Sequence, residues 1–393
     1  MTFPFSLFFP SRYRVWKNGQ HVSPPLTRSY DTLIHSPYLD TLPSPDKLRT
    51  PLHFTDHEID ALRGTNLHGA TIDRRRDWKV EWERCHADVS GVNEEWGRAL
   101  TWYVSLSSLS TVFRPIPSTR CCCTRTRRER FLTAATYLSS RAFPSTLLSP
   151  SPSLVQQHDS YPVLIPGVDA LNHARAQPVS WVVTCPPTSS SSPPTVNSPQ
   201  AGISLVTHTA SKVGAEIFNN YGAKPNSELL LGYGFTLSAN PDDTIVLKIG
   251  GLGGSSGTTA QHEVSRGGRG ATAVWDAIME AVKKAQGDEE DEDEEETPEW
   301  QLVLDCADML RSMTESLLAR LPGGFVSGSE EAGALRGDVV EMIGHYVSGQ
   351  REVLQDLLQY ANDREMGGVE LARRGGVVIQ VEGGGEDDED EDD

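Results

Sequence analysis

Two short stretches of this chain bring together side chains able to hold and align a small polar ligand. The first, Gly167-Val-Asp-Ala-Leu-Asn-His-Ala174, sets an acid, an amide and an imidazole close behind an apolar run. The second, Glu216-Ile-Phe-Asn-Asn-Tyr-Gly222, ends in a tyrosine followed by glycine, and Asn226-Ser-Glu-Leu-Leu-Leu-Gly-Tyr-Gly-Phe235 comes soon after. Taken singly, each has an ordinary structural reading. Asn172 and His173 can satisfy the backbone of a turn, and a Tyr-Gly pair commonly closes a strand. Spacing disposes of two other chemistries. Residues 104–129 carry Cys121, Cys122 and Cys123 beside Arg120, Arg125, Arg127 and Arg128, a mixture suited to metal or nucleic acid. No Cys-x-x-Cys pair or spaced histidine accompanies them, so no zinc site is expected. The glycine-rich stretch from Gly250 to Gly270 is not a strand feeding a helix through GxGxxG, so no nucleotide loop is expected either.

The elements that must position these residues follow from composition and periodicity. The chain has 393 residues with a formal net charge of −19. Two uninterrupted acidic tracts, Asp288 to Glu296 and Glu386 to Asp393, hold nearly all of that charge. The remainder is close to neutral, and the tracts read as solvated, self-repelling segments. No apolar run approaches the roughly 20 residues a membrane span needs, and six cysteines, three of them adjacent, do not form a disulfide framework. A soluble cytoplasmic or nuclear protein is expected. Residues 1–35 show no period and are left unassigned. Thr55 and Glu58 have capping-box spacing ahead of Ile59 and Leu62, with Gly64 ending that helix. One or two helices are expected from Ile72 to about Leu100, anchored by Trp78, Trp82 and Trp96. Residues 104–129 lack any period and read as an unstructured insertion. A helix is expected over 131–143, strands over Tyr161–Ile165, Ser180–Thr184 and Ile203–Thr207, and a turn into another strand from Lys212. Beyond the glycine-rich linker, helices are expected over Ala271–Gln286, Trp300–Leu321 and Asp338–Met366.

The order of the two polar stretches resembles the C-terminal motifs of the SET domain, D-x-x-N-H, then Y-G, then Y-G-F. The resemblance is closest to the branch typified by the plant Rubisco large-subunit lysine methyltransferase. That branch also includes fungal ribosomal-protein lysine methyltransferases and an actin histidine methyltransferase. Ser140-Arg-Ala-Phe143 matches its S-R-x-F, while PYLDTLP (Pro37 to Pro43) and Thr50 to Leu67 resemble its helical insertion. Tyr346-Val-Ser-Gly-Gln350 resembles a helix of its C-terminal substrate-binding domain. The resemblance implies an α+β fold: a SET domain of short strands over 36–250, with the helical insertion at 36–100. A linker at 251–271, a helical domain at 272–366 and an acidic tail at 367–393 complete it.

What the resemblance implies about function is equally specific. S-adenosylmethionine is the expected cofactor, held by Asn172, His173 and Tyr221, with Tyr221 the catalytic tyrosine. Arg141, Asp169, Tyr233 and Phe235 are expected on the substrate side, and no metal is expected. The expected activity is transfer of methyl to a lysine of a basic protein, such as a ribosomal protein or a histone. Histidine as acceptor and a non-catalytic, partner-binding scaffold are the alternatives. Neither nucleic acid nor membrane is an expected partner, and a monomer is expected. SET domains also open on a strand pair carrying a Gly-x-Gly loop, which residues 1–35 do not match. Either a first coding segment is missing upstream or cofactor binding is weak.

Overall fold

The computed structural model describes residues 15–17, 20–22, 36–94, 97, 130–149, 153–155, 157–184, 202–249, 260–287, 297–323 and 335–379. The insertion at 104–129, Trp96, Cys185 and both acidic tracts lie outside them. The chain divides into two compact units. The first comprises Met1–Asp56, Gly69–Lys224 and Glu228–Phe235; the second comprises His57–His68, Pro225–Ser227 and Thr236–Asp393.

The first unit opens with a small antiparallel pair, β1 (Val15–Lys17) and β2 (Gln20–Val22), inside the stretch left unassigned above. Three-residue strands are too short for a period of two to show in sequence. The short helix α1 (Ser36–Leu39) follows, then α2 (Asp56–Asp60), which from His57 onward belongs to the second unit. A single long helix, α3 (Asn66–Val92), replaces the one or two expected from Ile72, and it starts six residues earlier. Helix α4 (Arg130–Arg141) buries Phe131, Leu132 and Thr136, the i, i+1, i+5 face of its Ala/Leu run, and ends on Arg141. Two-residue strands β3 (Phe143–Pro144) and β4 (Pro162–Val163) pair antiparallel. The expected strand over 161–165 therefore shrinks to Pro162–Val163, and the Pro144–Pro162 pair, with no N–H on either side, ends the ladder there. β5 (Val179–Thr184) and β6 (Gly202–Thr207) form the antiparallel pair read from their β-branched residues. No strand forms from Lys212. The segment turns at Gly214 and meets the rest through one parallel bridge, His173 to Asn219.

The second unit is mainly helical. β7 (Thr244–Ile249) pairs with β8 (Ala260–Ser265), which lies within the stretch read as a pure linker. The Gly-rich composition masked Gln261 to Ser265, whose Val264 is fully buried. Helices α6 (Ala271–Gly287), α7 (Glu299–Arg320) and α8 (Gly337–Arg374) complete the chain. Cys306 and Leu310 on α7 and Ile343, Tyr346, Val353, Leu354 and Leu357 on α8 repeat at helical spacing and are fully buried. α8 runs eight residues past the expected end at Met366. Gly367-Gly368 looks like a stop, but a Cβ at Gly368 would come within 2.9 Å of Leu304, so the glycine permits close helix packing instead. Among the described residues, no helix is long and apolar enough to cross a membrane.

The Tyr346-Val-Ser-Gly-Gln350 motif has a structural use in this unit. The Tyr346 hydroxyl accepts the Leu67 backbone N–H at 3.2 Å, and Gln350 donates to the Thr244 carbonyl at 2.9 Å. A Cβ at Gly349 would lie 2.0 Å from Asp243 Oδ2, so only glycine fits there. Asp243 accepts the backbone N–H of Asn226 at 2.7 Å and its side-chain amide at 3.0 Å. Burial pushes the Asp243 carboxyl up to about 6, against those hydrogen bonds and Arg266. A carboxyl raised on folding contributes stability below its ordinary value of 3.8 and loses it as pH rises through about 6. Asp243→Asn should therefore flatten the pH dependence of unfolding between those two values. Urea titrations across that range check this, and an unchanged slope would assign the titration elsewhere.

Candidate active site

The candidate site is built wholly within the first unit. Its centre is the parallel bridge: the Asn219 N–H donates to the Asn172 carbonyl at 2.8 Å, and the Ala174 N–H donates to the Asn219 carbonyl at 2.9 Å. This crossing brings the two polar stretches together, 46 positions apart at His173 and Asn219, and delivers Tyr221 beside His173. His173 Nδ1 accepts the Tyr221 backbone N–H at 3.0 Å, which leaves the proton of the neutral ring on Nε2. The Tyr221 hydroxyl donates to the Leu171 carbonyl at 2.8 Å. The ring stacks on two others, 5.1 Å from the His173 centroid and 5.0 Å from that of Tyr233. Phe235 tilts against both flanking rings, at 6.0 and 6.2 Å. Tyr221 is thus fixed at its backbone, its ring and its hydroxyl.

Glycines make the turns. Gly222 has φ +98°, which lets the chain leave Tyr221 sharply. Gly234 ends the helix α5 (Asn226–Tyr233) at φ +83°, and its N–H reaches the Leu229 and Leu230 carbonyls. A Cβ there would also meet the Arg49 backbone at 2.8 Å. That turn carries Phe235 back towards Tyr233, which accounts physically for the Tyr233-Gly-Phe235 pattern.

A cavity of about 850 Å³ opens on this arrangement. Arg141, Asp169, Tyr221 and Tyr233 all line it, together with Trp181 and Lys224. Asp169 is buried, accepting from the Tyr38 hydroxyl at 2.7 Å and from Arg141 Nη1 at 3.4 Å. Burial raises the Tyr221 phenol above its ordinary value, with Arg141 opposing, and raises that of Tyr233, with Lys224 opposing. Both phenols are therefore neutral hydroxyls near neutral pH. Burial also pushes the Tyr38 phenol up, reinforced by its bond to Asp169.

Three of the residues singled out in the sequence do not line the cavity. His173 and Phe235 stand behind its aromatic wall, as packing for Tyr221 and Tyr233. Asn172 is exposed, and its amide donates to Glu216 Oε1 at 2.6 Å. Ligand binding through this amide would exchange that partner. Three lining or supporting residues escaped the sequence reading. Tyr38 sits in the quoted PYLDTLP segment, Lys224 follows Tyr221-Gly222, and Trp181 lies in β5, edge-on to Phe143 at 5.6 Å. Only Lys224 had a signal, its place between the two motifs. Cys85 and Cys306 are free thiols pushed up to about 11, each chiefly by burial, which makes them poor nucleophiles.

No family model matches the chain. It is 30% identical over 215 residues to ribosomal lysine N-methyltransferase set10 of Schizosaccharomyces pombe, covering 54% of this chain and 30% of that protein. It is also 30% identical over 235 residues to ribosomal lysine N-methyltransferase 1 of Saccharomyces cerevisiae, covering 54% of this chain and 34% of that one. The chain thus spans about a third of the length of the curated relatives it matches. Among solved structures it matches Rubisco LSMT bound to sinefungin and monomethyllysine with a TM-score of 0.57 at 16% identity, over 87% of this chain and 73% of that one. The SET domain of LSMT bound to lysine and AdoHcy gives 0.56 at 15%, over 86% and 72%. Fold and motif order together define the SET-domain class, α+β with a helical C-terminal part. Within that class the chain is similar to the Rubisco large-subunit methyltransferase branch and its fungal ribosomal members.

Proposed function

We propose that the chain is an S-adenosylmethionine-dependent protein-lysine N-methyltransferase whose substrate is a ribosomal protein. The observation that carries this reading is Tyr221, a neutral phenol stacked against His173 and Tyr233 with its hydroxyl on a backbone carbonyl, at the wall of a cavity large enough for a cofactor end and a side chain. The wall suits a sulfonium cofactor: two phenol rings, the Trp181 indole and the Leu171 carbonyl offer electron-rich faces and an oxygen to a positive centre. Asn172 and His173 would hold the cofactor from the bridge beside Tyr221. When bound, S-adenosylmethionine supplies an activated methyl group for direct displacement.

The residues of the chain supply alignment and exclusion of water. Tyr221 and Tyr233 form one face of a channel that admits a long aliphatic side chain and keeps water from its tip. The Tyr221 hydroxyl and Leu171 carbonyl orient a polar group arriving at that face. Free lysine, with a pKa near 10.4, holds almost no neutral amine at pH 7. An enclosed aromatic channel favours the neutral form because burial penalises the charged one. Ribosomal proteins fit as basic substrates, and a cytoplasmic or nuclear site of action follows from them.

The test is incubation of the chain with S-adenosylmethionine and stripped ribosomal proteins, with histones as the comparison, followed by mass spectrometry for methyl-lysine. Methyl on a ribosomal lysine supports the reading. Transfer to histones alone changes the substrate, and transfer to histidine changes the acceptor. Absence of transfer favours the scaffold alternative. Cofactor binding has its own check. Asn172→Ala should weaken S-adenosylmethionine affinity, measured by calorimetry, by about 0.5–1.5 kcal/mol, roughly two- to twelvefold. Unchanged affinity in a folded variant would remove Asn172 from the site.

A further inference from the structure

The cavity that receives positive groups in this reading already contains one of its own. Lys224 lines it, with Nζ 6.0 Å from the centroid of the Tyr233 ring and 2.7 Å from Glu228 Oε2. The Lys224 side chain is 25% exposed and that of Glu228 is 58% exposed. Glu228 does not line the cavity. Its charge is screened by solvent, whereas that of Lys224 faces inward, so the pair presents a net positive end to the ring stack. Burial works against the Lys224 charge, but the hydrogen bond to Glu228 and the neighbouring Tyr233 outweigh it, and its pKa is raised. The ammonium is thus kept protonated and is poorly suited to be a nucleophile.

The other charges on the lining come from several elements. Arg141 of α4 and Asp169 of the following loop are bonded to each other and act on Tyr221 as a pair of opposite sign. Glu81 of α3 and the His158-Asp159 turn also lie on the lining. Among the described residues, the cation seated on the Tyr221–Tyr233 stack is that of Lys224.

We propose that Lys224 is a charge selector at the Tyr233 end of the cavity: its ammonium makes that end, where an acceptor side chain would lie, prefer a neutral occupant over a cationic one of the same shape. Under the methyltransferase reading, on which this consequence rests, the selector favours the deprotonated form of an acceptor lysine. Lys224 then acts on the acceptor through the wall and does not bond to the reacting atoms.

The test does not need turnover. Choline and its neutral carbon isostere 3,3-dimethylbutan-1-ol are titrated into the unmodified chain and into Lys224→Met, with binding read by ligand-observed NMR. The Glu228 carboxylate offsets part of the field of the Lys224 ammonium beside Tyr233, so the substitution should tighten choline by about two- to fivefold. Binding of the neutral isostere should stay within about twofold, and thermal unfolding should confirm that the variant is folded. Equal changes for both probes would mean Lys224 merely fills space, and no change would mean its charge is not felt. If neither probe binds the unmodified chain, the cavity is not the receptor assumed, and the inference falls. A second arm uses methyl transfer, where the acid limb of the pH profile should move to higher pH in Lys224→Met. Methyl found on Lys224 itself would overturn the inference by making it the acceptor. A chain without transfer whose probes still discriminate would overturn the function and keep the selector.

Discussion

Tyr221→Phe is expected to reduce turnover on the order of 10²-fold while leaving cofactor affinity almost unchanged. The substitution keeps the ring, and with it the stacking on His173 and Tyr233 at about 5 Å from each. What it removes is one donor, the hydroxyl on the Leu171 carbonyl. Stability should fall by about 0.5–1.5 kcal/mol, the usual net value of such a bond. Turnover should fall further, because positional errors on the scale of an ångström cost about a hundredfold when alignment supplies most of the catalysis. A group that counts mainly in the transition state lowers kcat and kcat/KM together. The raised phenol adds a control: Tyr221 stays neutral through the ordinary assay range, so the pH profile of the Phe variant should keep the shape of the unmodified one. Single-turnover assays across pH, with cofactor binding measured in parallel, check both parts. Full turnover in the Phe variant would overturn the catalytic role proposed for this residue.

The site was legible where a motif is short and its parts act locally. Tyr221-Gly222 announces a sharp turn, and Gly222 makes it, whereas the bridge from His173 to Asn219 was not visible in either stretch alone. Tyr233 and Phe235 were visible as an aromatic pair, but their division of labour was not. Whether a ring lines a cavity or backs it depends on the φ of Gly234 and on the Arg49 backbone beside it, which lies about 185 positions earlier. Tyr38 was invisible for the same reason, since its bond to Asp169 spans 131 positions. Helix positions were legible from apolar spacing, and their ends were not. Gly367-Gly368 reads as a terminator until the facing Leu304 gives a glycine another use. β8 was lost because composition over twenty residues hid a six-residue strand. Tyr346-Val-Ser-Gly-Gln350 was recognisable as a pattern, yet its physical content lies in the partners Leu67, Asp243 and Thr244.

Glu58 illustrates the same limit and carries the largest expected effect on stability. Its spacing from Thr55 reads as a capping box, a local use worth about 1 kcal/mol. In the structure its carboxylate is fully buried and takes three bonds from Arg336 within the second unit. The backbone N–H reaches Oε1 at 3.1 Å, Nε reaches Oε1 at 2.8 Å, and Nη2 reaches Oε2 at 2.7 Å. Arg336 is the residue that precedes α8, so the pair ties α2 to the start of the longest helix in the chain. Removing one partner of a buried pair costs about 3–5 kcal/mol, because it strands the other charge and its donors. Glu58→Ala should therefore lower the unfolding free energy of this unit by about that amount, a large share of the 5–15 kcal/mol typical of a domain. Arg336→Ala should cost at least as much as Glu58→Ala, because it strands the carboxylate that is 1% exposed, whereas Arg336, at 32% exposed, keeps a route to water once Glu58 is gone. Urea unfolding of both single variants and the double variant measures the coupling. Additive losses, or a loss below about 1 kcal/mol for Glu58→Ala, would reduce the pair to a surface contact. A coupling of about 2 kcal/mol or more would make it the clasp that sets where α8 begins, and so where Tyr346, Gly349 and Gln350 fall along it.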